Sequence, residues 1–286
     1  MRSASITGVS AATARPVAEV TRAEITPRVV SAAVLVPVVL AAAYAGGFIF
    51  AALIAVFAVV MTWEWARLTA EGRFGGEGVV LVAVVAAALG GGLVAGPVWG
   101  IVVAGAGAIA AAAVLRQMNA DHPVWAAAGI PYVAVPALSL IWLRGETPAG
   151  FLVVLWLFAV VWATDIAAYF AGRQWGTALL APTVSPRKTW AGAIGGLIAA
   201  LAVSLAAAPL VAPADPVALI ILGAVVSIAG QFGDLFESAV KRRFGVKDTS
   251  EIIPGHGGAL DRADSLIAAA PIAALALWSG VLSPWP

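Results

Sequence analysis

The stretch from Ser238 to Asp264 reads SAVKRRFGVKDTSEIIPGHGGALDRAD. It gathers Lys241, Arg242, Arg243 and Lys247, then Asp248, then the turn Pro254-Gly255-His256-Gly257-Gly258, and finally Asp261, Arg262 and Asp264. Lysine and arginine neutralise phosphate oxygens. Glycines let backbone N–H groups approach an anion. Carboxylates hold the hard cation that bridges phosphates. Together these residue types suit a polyphosphate carrying a divalent metal.

Further acids lie inside apolar runs. Asp165 sits deep in one run, and Asp234 and Glu237 close another. A carboxylate at the centre of a membrane helix costs about 2.5–3.5 kcal/mol on insertion scales, so it needs a reason. Asp234 and Glu237 are three residues apart and share a helix face, as do Asp261 and Asp264. Two such faces brought together predict an oxygen cage for Mg²⁺ from Asp234, Glu237, Asp261 and Asp264; paired structural charges or helix caps are the bland alternative. Glu64, three residues before Arg67, reads as half of an interfacial ion pair.

Asp165 and Tyr169 are four apart and share a face, and Ser185-Pro186-Arg187-Lys188-Thr189-Trp190 follows in the next polar gap. Hydroxyls of Ser185 and Thr189 around the Arg187–Lys188 pair predict a phosphate cup at a helix N-terminus. A basic interfacial loop explains the same residues equally well.

The elements that must carry these groups follow from composition. The chain has 286 residues, 62% hydrophobic and only 11% charged, against about 25% charged in soluble domains. The apolar runs are long and continuous rather than short and alternating, so the chain reads as an all-α polytopic membrane protein, not a barrel. Absence of cysteine excludes disulfides, thiolate metal sites and a cysteine nucleophile, and two histidines argue against a histidine-rich metal centre. No nucleic-acid partner is expected.

Apolar runs near 29–44, 46–65, 78–95, 98–115, 123–143, 151–171, 191–212, 217–236 and 265–282 predict about nine transmembrane helices. With the N-terminus cytosolic and the C-terminus outside, Arg144 alone of the 16 Lys and Arg residues falls on the outer side. This places the polar loops 172–190 and 237–264 on one cytosolic face. Residues 1–27 read as a disordered cytosolic tail, 28–145 as a scaffold of helices open as a dimer surface, and 146–286 as the catalytic transmembrane part. Gly192-x-x-x-Gly196 reads as a helix-packing patch.

The run S-x-x-K-R-x4-K-D-x6-G-H-G-G-x-x-D-R-x-D, from Ser238 to Asp264, resembles the signature of the phosphatidate cytidylyltransferase (CDP-diacylglycerol synthase) family. D-x-x-A-Y-F-x-G at Asp165–Gly172, S-P-x-K-T-W at Ser185–Trp190 and G-D-L-F-E-S at Gly233–Ser238 support it. The resemblance is strong over roughly 150–286. Ala191 departs from it, because the family usually has glutamate there.

The resemblance implies transfer of a cytidylyl group from CTP to phosphatidic acid, with release of pyrophosphate, at the inner (plasma) membrane. It also implies Mg²⁺, with room for a second cation such as K⁺, and a homodimer. Asp234 and Asp261 would be the metal ligands. No protein nucleophile is needed if the lipid phosphate attacks the α-phosphorus directly, so the protein's task is positioning and charge neutralisation. Lys188, Lys241, Arg242, Lys247 and Arg262 would neutralise the phosphates, with Asp165, Tyr169, Ser185, Arg187, Thr189, Ser238, Asp248, Gly257 and Gly258 around the substrates. His256 reads as a phosphate donor or, nearly as well, a structural turn histidine. The alternatives are a CTP-dependent polyprenol or phytol kinase, a cytidylyltransferase of ether lipids, or, in another class, an ion-coupled transporter.

Overall fold

In lipid each backbone N–H and C=O must be satisfied within the chain, so long apolar runs become helices. The computed structural model describes residues 22–145, 148–212, 215–255 and 257–280, and among them it has nine α-helices and one short hairpin. The helices are α1 (Arg22–Ala45), α2 (Gly47–Thr69), α3 (Gly76–Ala95), α4 (Pro97–Gln117), α5 (Pro123–Arg144), α6 (Pro148–Trp175), α7 (Trp190–Val211), α8 (Pro216–Arg243) and α9 (Leu260–Trp278). Seven of them, α2 to α8, are long and apolar enough to cross a membrane. The apolar part of α1, Val29–Ala45, is shorter, and the first turns of α9 carry Asp261, Arg262 and Asp264. Because α1 begins at Arg22, residues 22–27 of the expected tail are helical.

The gap between α6 and α7 was expected as a loop and contains a hairpin. β1 (Leu179–Ala181) pairs antiparallel with β2 (Ser185–Thr189), Leu179 opposite Thr189 and Ala181 opposite Ser185. Thr189 then caps α7, its hydroxyl accepting from the Gly192 amide at 3.1 Å.

Lipid supplies no hydrophobic drive between helices, so their contacts rest on close fit of small residues. A Cβ on Gly192 would stand 2.8 Å from the Ala168 carbonyl, and one on Gly196 would stand 2.9 Å from that of Thr164. This is the packing role expected of the patch. The α8–α9 contact that concerns function is built the same way: a Cβ on Gly233 would meet the Asp264 carbonyl at 2.6 Å and the Ala268 side chain at 2.7 Å. Asp234 and Asp264 are thereby brought to one seam.

Arg144, the exception to the charge rule, has a structural explanation. It is buried, and its guanidinium donates to the carbonyls of Ala43, of Tyr44 (3.0 Å) and of Gly145 (3.1 Å). A cation at the C-terminus of α1 satisfies carbonyls that the helix leaves orphaned and faces the negative end of its dipole. The joint to α2 turns through Gly46 and Gly47 at φ 67° and 46°, and the guanidinium fills the space a side chain on Gly46 would need.

Candidate active site

The seam of α8 and α9 carries alternating acids and lysines. Lys241 lies between two carboxylates, donating to Glu237 Oε1 at 3.0 Å and to Asp261 Oδ1 at 2.5 Å. Helix spacing makes the first pair, since Glu237 and Lys241 are four residues apart; only packing makes the second. One turn back on α8, Asp234 forms an ion pair with Lys188 of β2. Ser238 Oγ reaches Asp234 Oδ1 at 3.5 Å, a long bond. Asp264 accepts from the Ser265 amide at 2.7 Å and lies within electrostatic reach of Asp234, Glu237 and Asp165.

The glycine turn closes onto Asp261. Asp261 Oδ2 accepts from Thr249 N, Thr249 Oγ1 and Gly258 N, each at 2.9 Å. The anion that Gly258 approaches is thus a carboxylate of the protein. Gly257 has φ 81°, and a Cβ there would stand 3.0 Å from Asp261 Oδ2. His256 lies outside the described residues.

Other expected site residues are placed differently. Alternation along β2 sends Lys188 to Asp234 while Arg187 is exposed, so the two do not form one cup. The Thr189 hydroxyl is engaged as the α7 cap, and Ser185 lies at the far end of the strand. Tyr169 is exposed and its hydroxyl accepts from Arg173 at 3.1 Å. Arg242 donates to the Val246 carbonyl at 3.1 Å on the exposed rim that also holds Lys247 and Asp248.

Two groups were not foreseen. Glu64 makes no ion pair with Arg67. Arg67 instead donates to the Gly72 carbonyl at 2.9 Å and lies over the Trp63 ring, while Glu64 is fully buried and accepts from Ser250, Ala259 and Leu260. The signal was present as an acid between two tryptophans in an apolar run. Among the described residues the buried hydroxyl of Tyr132 on α5 has no hydrogen-bond partner, and it lies within electrostatic reach of Glu237, Asp264 and Asp234. Nothing in the sequence marks it.

Beside the seam is a cavity of about 370 Å³ between α1, α2, α5, α6 and α9. Its walls are apolar, including Leu35, Phe57, Met61, Leu140, Phe158 and Leu266, and its charged lining residues are Asp165 and Arg262. Asp165 also lies within electrostatic reach of Asp234 and Lys188, which joins the cavity to the seam.

A pocket with mostly apolar walls and an arginine among its lining residues suits an amphiphile with an anionic head. Residues 26–279 match the model of the cytidylyltransferase family. The chain belongs to that family. It is 41% identical over 251 residues to the phosphatidate cytidylyltransferase of Brucella suis, covering 86% of this chain and 90% of the relative. It is 46% identical over 148 residues to the enzyme of that name in Haemophilus influenzae (50% of this chain, 51% of the relative). It is 44% identical over 144 residues to that of Staphylococcus saprophyticus (50% and 54%). The family member described here is therefore a multi-pass membrane nucleotidyltransferase.

The family implies a metal ion, and the acids of the seam are the residues available to hold it. Among the described residues no three acidic or histidine side chains converge to hold an ion, and Lys188 and Lys241 stand on Asp234, Glu237 and Asp261. Mg²⁺ at nucleotide sites, however, is held by one or two carboxylates together with substrate phosphates and water. Among the described residues Glu237 Oε2 is a buried acceptor with no hydrogen-bond partner, and Asp264 accepts from the Ser265 backbone amide. Those oxygens fit a magnesium–nucleotide complex without a preformed cage.

Proposed function

We propose that this enzyme transfers a cytidylyl group from CTP to phosphatidic acid, giving CDP-diacylglycerol and pyrophosphate at the cytosolic face of the inner membrane. The observation that carries the reading is the juxtaposition of the α8–α9 seam with the apolar cavity that Asp165 and Arg262 line. Apolar walls accept acyl chain, and Arg262 offers a planar donor fork to the lipid phosphate. Names of the relatives over most of the chain point to the same acceptor.

In this mechanism a lipid phosphate oxygen attacks the α-phosphorus, the bond to the bridging oxygen of the β-phosphate breaks, and pyrophosphate leaves. Lys188 and Lys241 exchange their carboxylate partners for phosphate oxygens as CTP enters, which keeps every charge in the seam paired. Arg242 and Lys247 on the rim neutralise the outer phosphates. Asp234, Glu237, Asp264 and, once Lys241 has turned away, Asp261 are the residues that would hold Mg²⁺. Bound there, the ion would stabilise charge on the phosphates and the leaving pyrophosphate. Site residues on different helices become a single device because α8 and α9 meet at Gly233.

The deciding experiment incubates the purified protein with labelled CTP and phosphatidate in detergent and identifies the lipid product by mass. A CDP-lipid with pyrophosphate is expected, abolished by EDTA and restored by Mg²⁺. A lipid that has gained one phosphoryl group, with CDP released, would make the enzyme a kinase, and EDTA-insensitive turnover would remove the metal from the mechanism.

A further inference from the structure

Among the described residues, the N-terminus of α9 has no cap from its own segment. Ala259 stands at the cap position and offers no side-chain acceptor. The first N–H groups of a helix lack intrahelical partners and must be satisfied elsewhere. Here they are satisfied from 195 residues away: Ala259 N donates to Glu64 Oε1 at 2.8 Å and Leu260 N donates to Glu64 Oε2 at 2.7 Å. Ser250 Oγ adds a third bond to Oε1 at 2.5 Å. A carboxylate accepts only, and its negative charge at a helix N-terminus is favoured by the dipole.

We infer that Glu64 of α2 is a positioning residue for the transfer reaction, holding the 249–260 turn so that Asp261 and Asp264 face α8 while Arg262 lines the cavity. The inference rests on the proposed function, which gives those three residues their roles. The turn is clamped from two sides. Asp261 gathers Thr249 and Gly258 from within, and Glu64 gathers Ser250, Ala259 and Leu260 from without. Gly258 passes between the clamps, where a Cβ would strike Thr249 Oγ1 and the Glu64 carboxylate. Lys241 reads the result, because it bonds to Asp261 only where the turn has placed it. An amide at position 64 would keep the shape but turn one NH₂ toward donors, so at least one bond to the turn is lost.

The test compares Glu64→Gln and Glu64→Asp with the unaltered full chain in detergent. It measures kcat per folded molecule, melting temperature, and hydrogen–deuterium exchange of peptides across 249–262. Losing bonds to a charged acceptor is expected to lower kcat by about ten- to a hundredfold in the Gln variant. Asp, which keeps the charge on a shorter arm, is expected to retain more. Exchange should quicken in 249–262 more than elsewhere in α9, with a fall of a few degrees in melting temperature from the amide donors left without their acceptor. Wild-type kcat in the Gln variant, or unchanged exchange in the turn, overturns the inference. If Glu64→Gln fails to fold, Ser250→Ala decides: a several-fold lower kcat with faster exchange in the turn supports it, and no change in either overturns it. Absence of CDP-lipid from the unaltered protein would sink the proposed function, and the exchange comparison would still judge the clamp.

Discussion

Replacing Glu237 by Gln separates a structural partner of Lys241 from a group kept for the substrate complex. Glu237 is buried, with Oε1 bonded to Lys241 at 3.0 Å and Oε2 bonded to nothing. Gln keeps the Oε1 acceptor but weakens the bond from charge-assisted to neutral, a loss of about 1–1.5 kcal/mol. Lys241 retains its other partner, Asp261. Gln puts an NH₂ where Oε2 stands, so one buried polar group without a partner replaces another and this site contributes about zero. The weakened bond to Lys241 is then the main loss, so the melting temperature should fall by only about 2–6 °C. Catalysis should respond differently. Removing an oxygen that takes part in holding Mg²⁺ should raise the Mg²⁺ concentration for half-maximal turnover by at least about tenfold. The assay is CDP-lipid formation against Mg²⁺ at saturating CTP, beside a melting curve in the same detergent. A large fall in melting temperature with an unchanged Mg²⁺ curve would refute the reasoning, since Glu237 would then serve only to hold Lys241.

Arg262→Gln should raise KM for phosphatidate more than KM for CTP, because Arg262 lines the apolar cavity while other cations stand at the seam; equal shifts in both would argue against Arg262 as the headgroup ligand. Arg144→Met should lower the melting temperature by the equivalent of about 1–3 kcal/mol, since it strips a donor from the buried carbonyl of Ala43 and another from the partly buried bond to Tyr44; kcat measured on the folded protein should stay near the wild-type value. A reporter fused after Pro286 should appear outside the cytosol if α1 and α9 cross as well as the seven apolar helices; a cytosolic signal would mean that the number of crossings is even.

Much of the architecture was legible along the chain. A backbone in lipid has no water to bond, so apolar runs of about 20 residues become helices whatever they pack against. Every expected span corresponds to a helix in the described residues. The acids and cations of 234–264 were legible too, because charge in so apolar a chain needs a reason. The hairpin at 179–189 was not: three- and five-residue strands carry too little periodicity to stand out between two helices.

By itself, then, the sequence determined the membrane class, the helical segments and which residue types stand at the charged end of the chain, because these depend on local composition and spacing. Only the tertiary structure decided their partners. Strand alternation separated Lys188 from Arg187, close packing at Gly233 brought Asp264 to Asp234, and Glu64 found the start of α9 far along the chain. Such pairings depend on which helix faces fit together. That fit is a property of shapes meeting across space and leaves no period in the sequence to read.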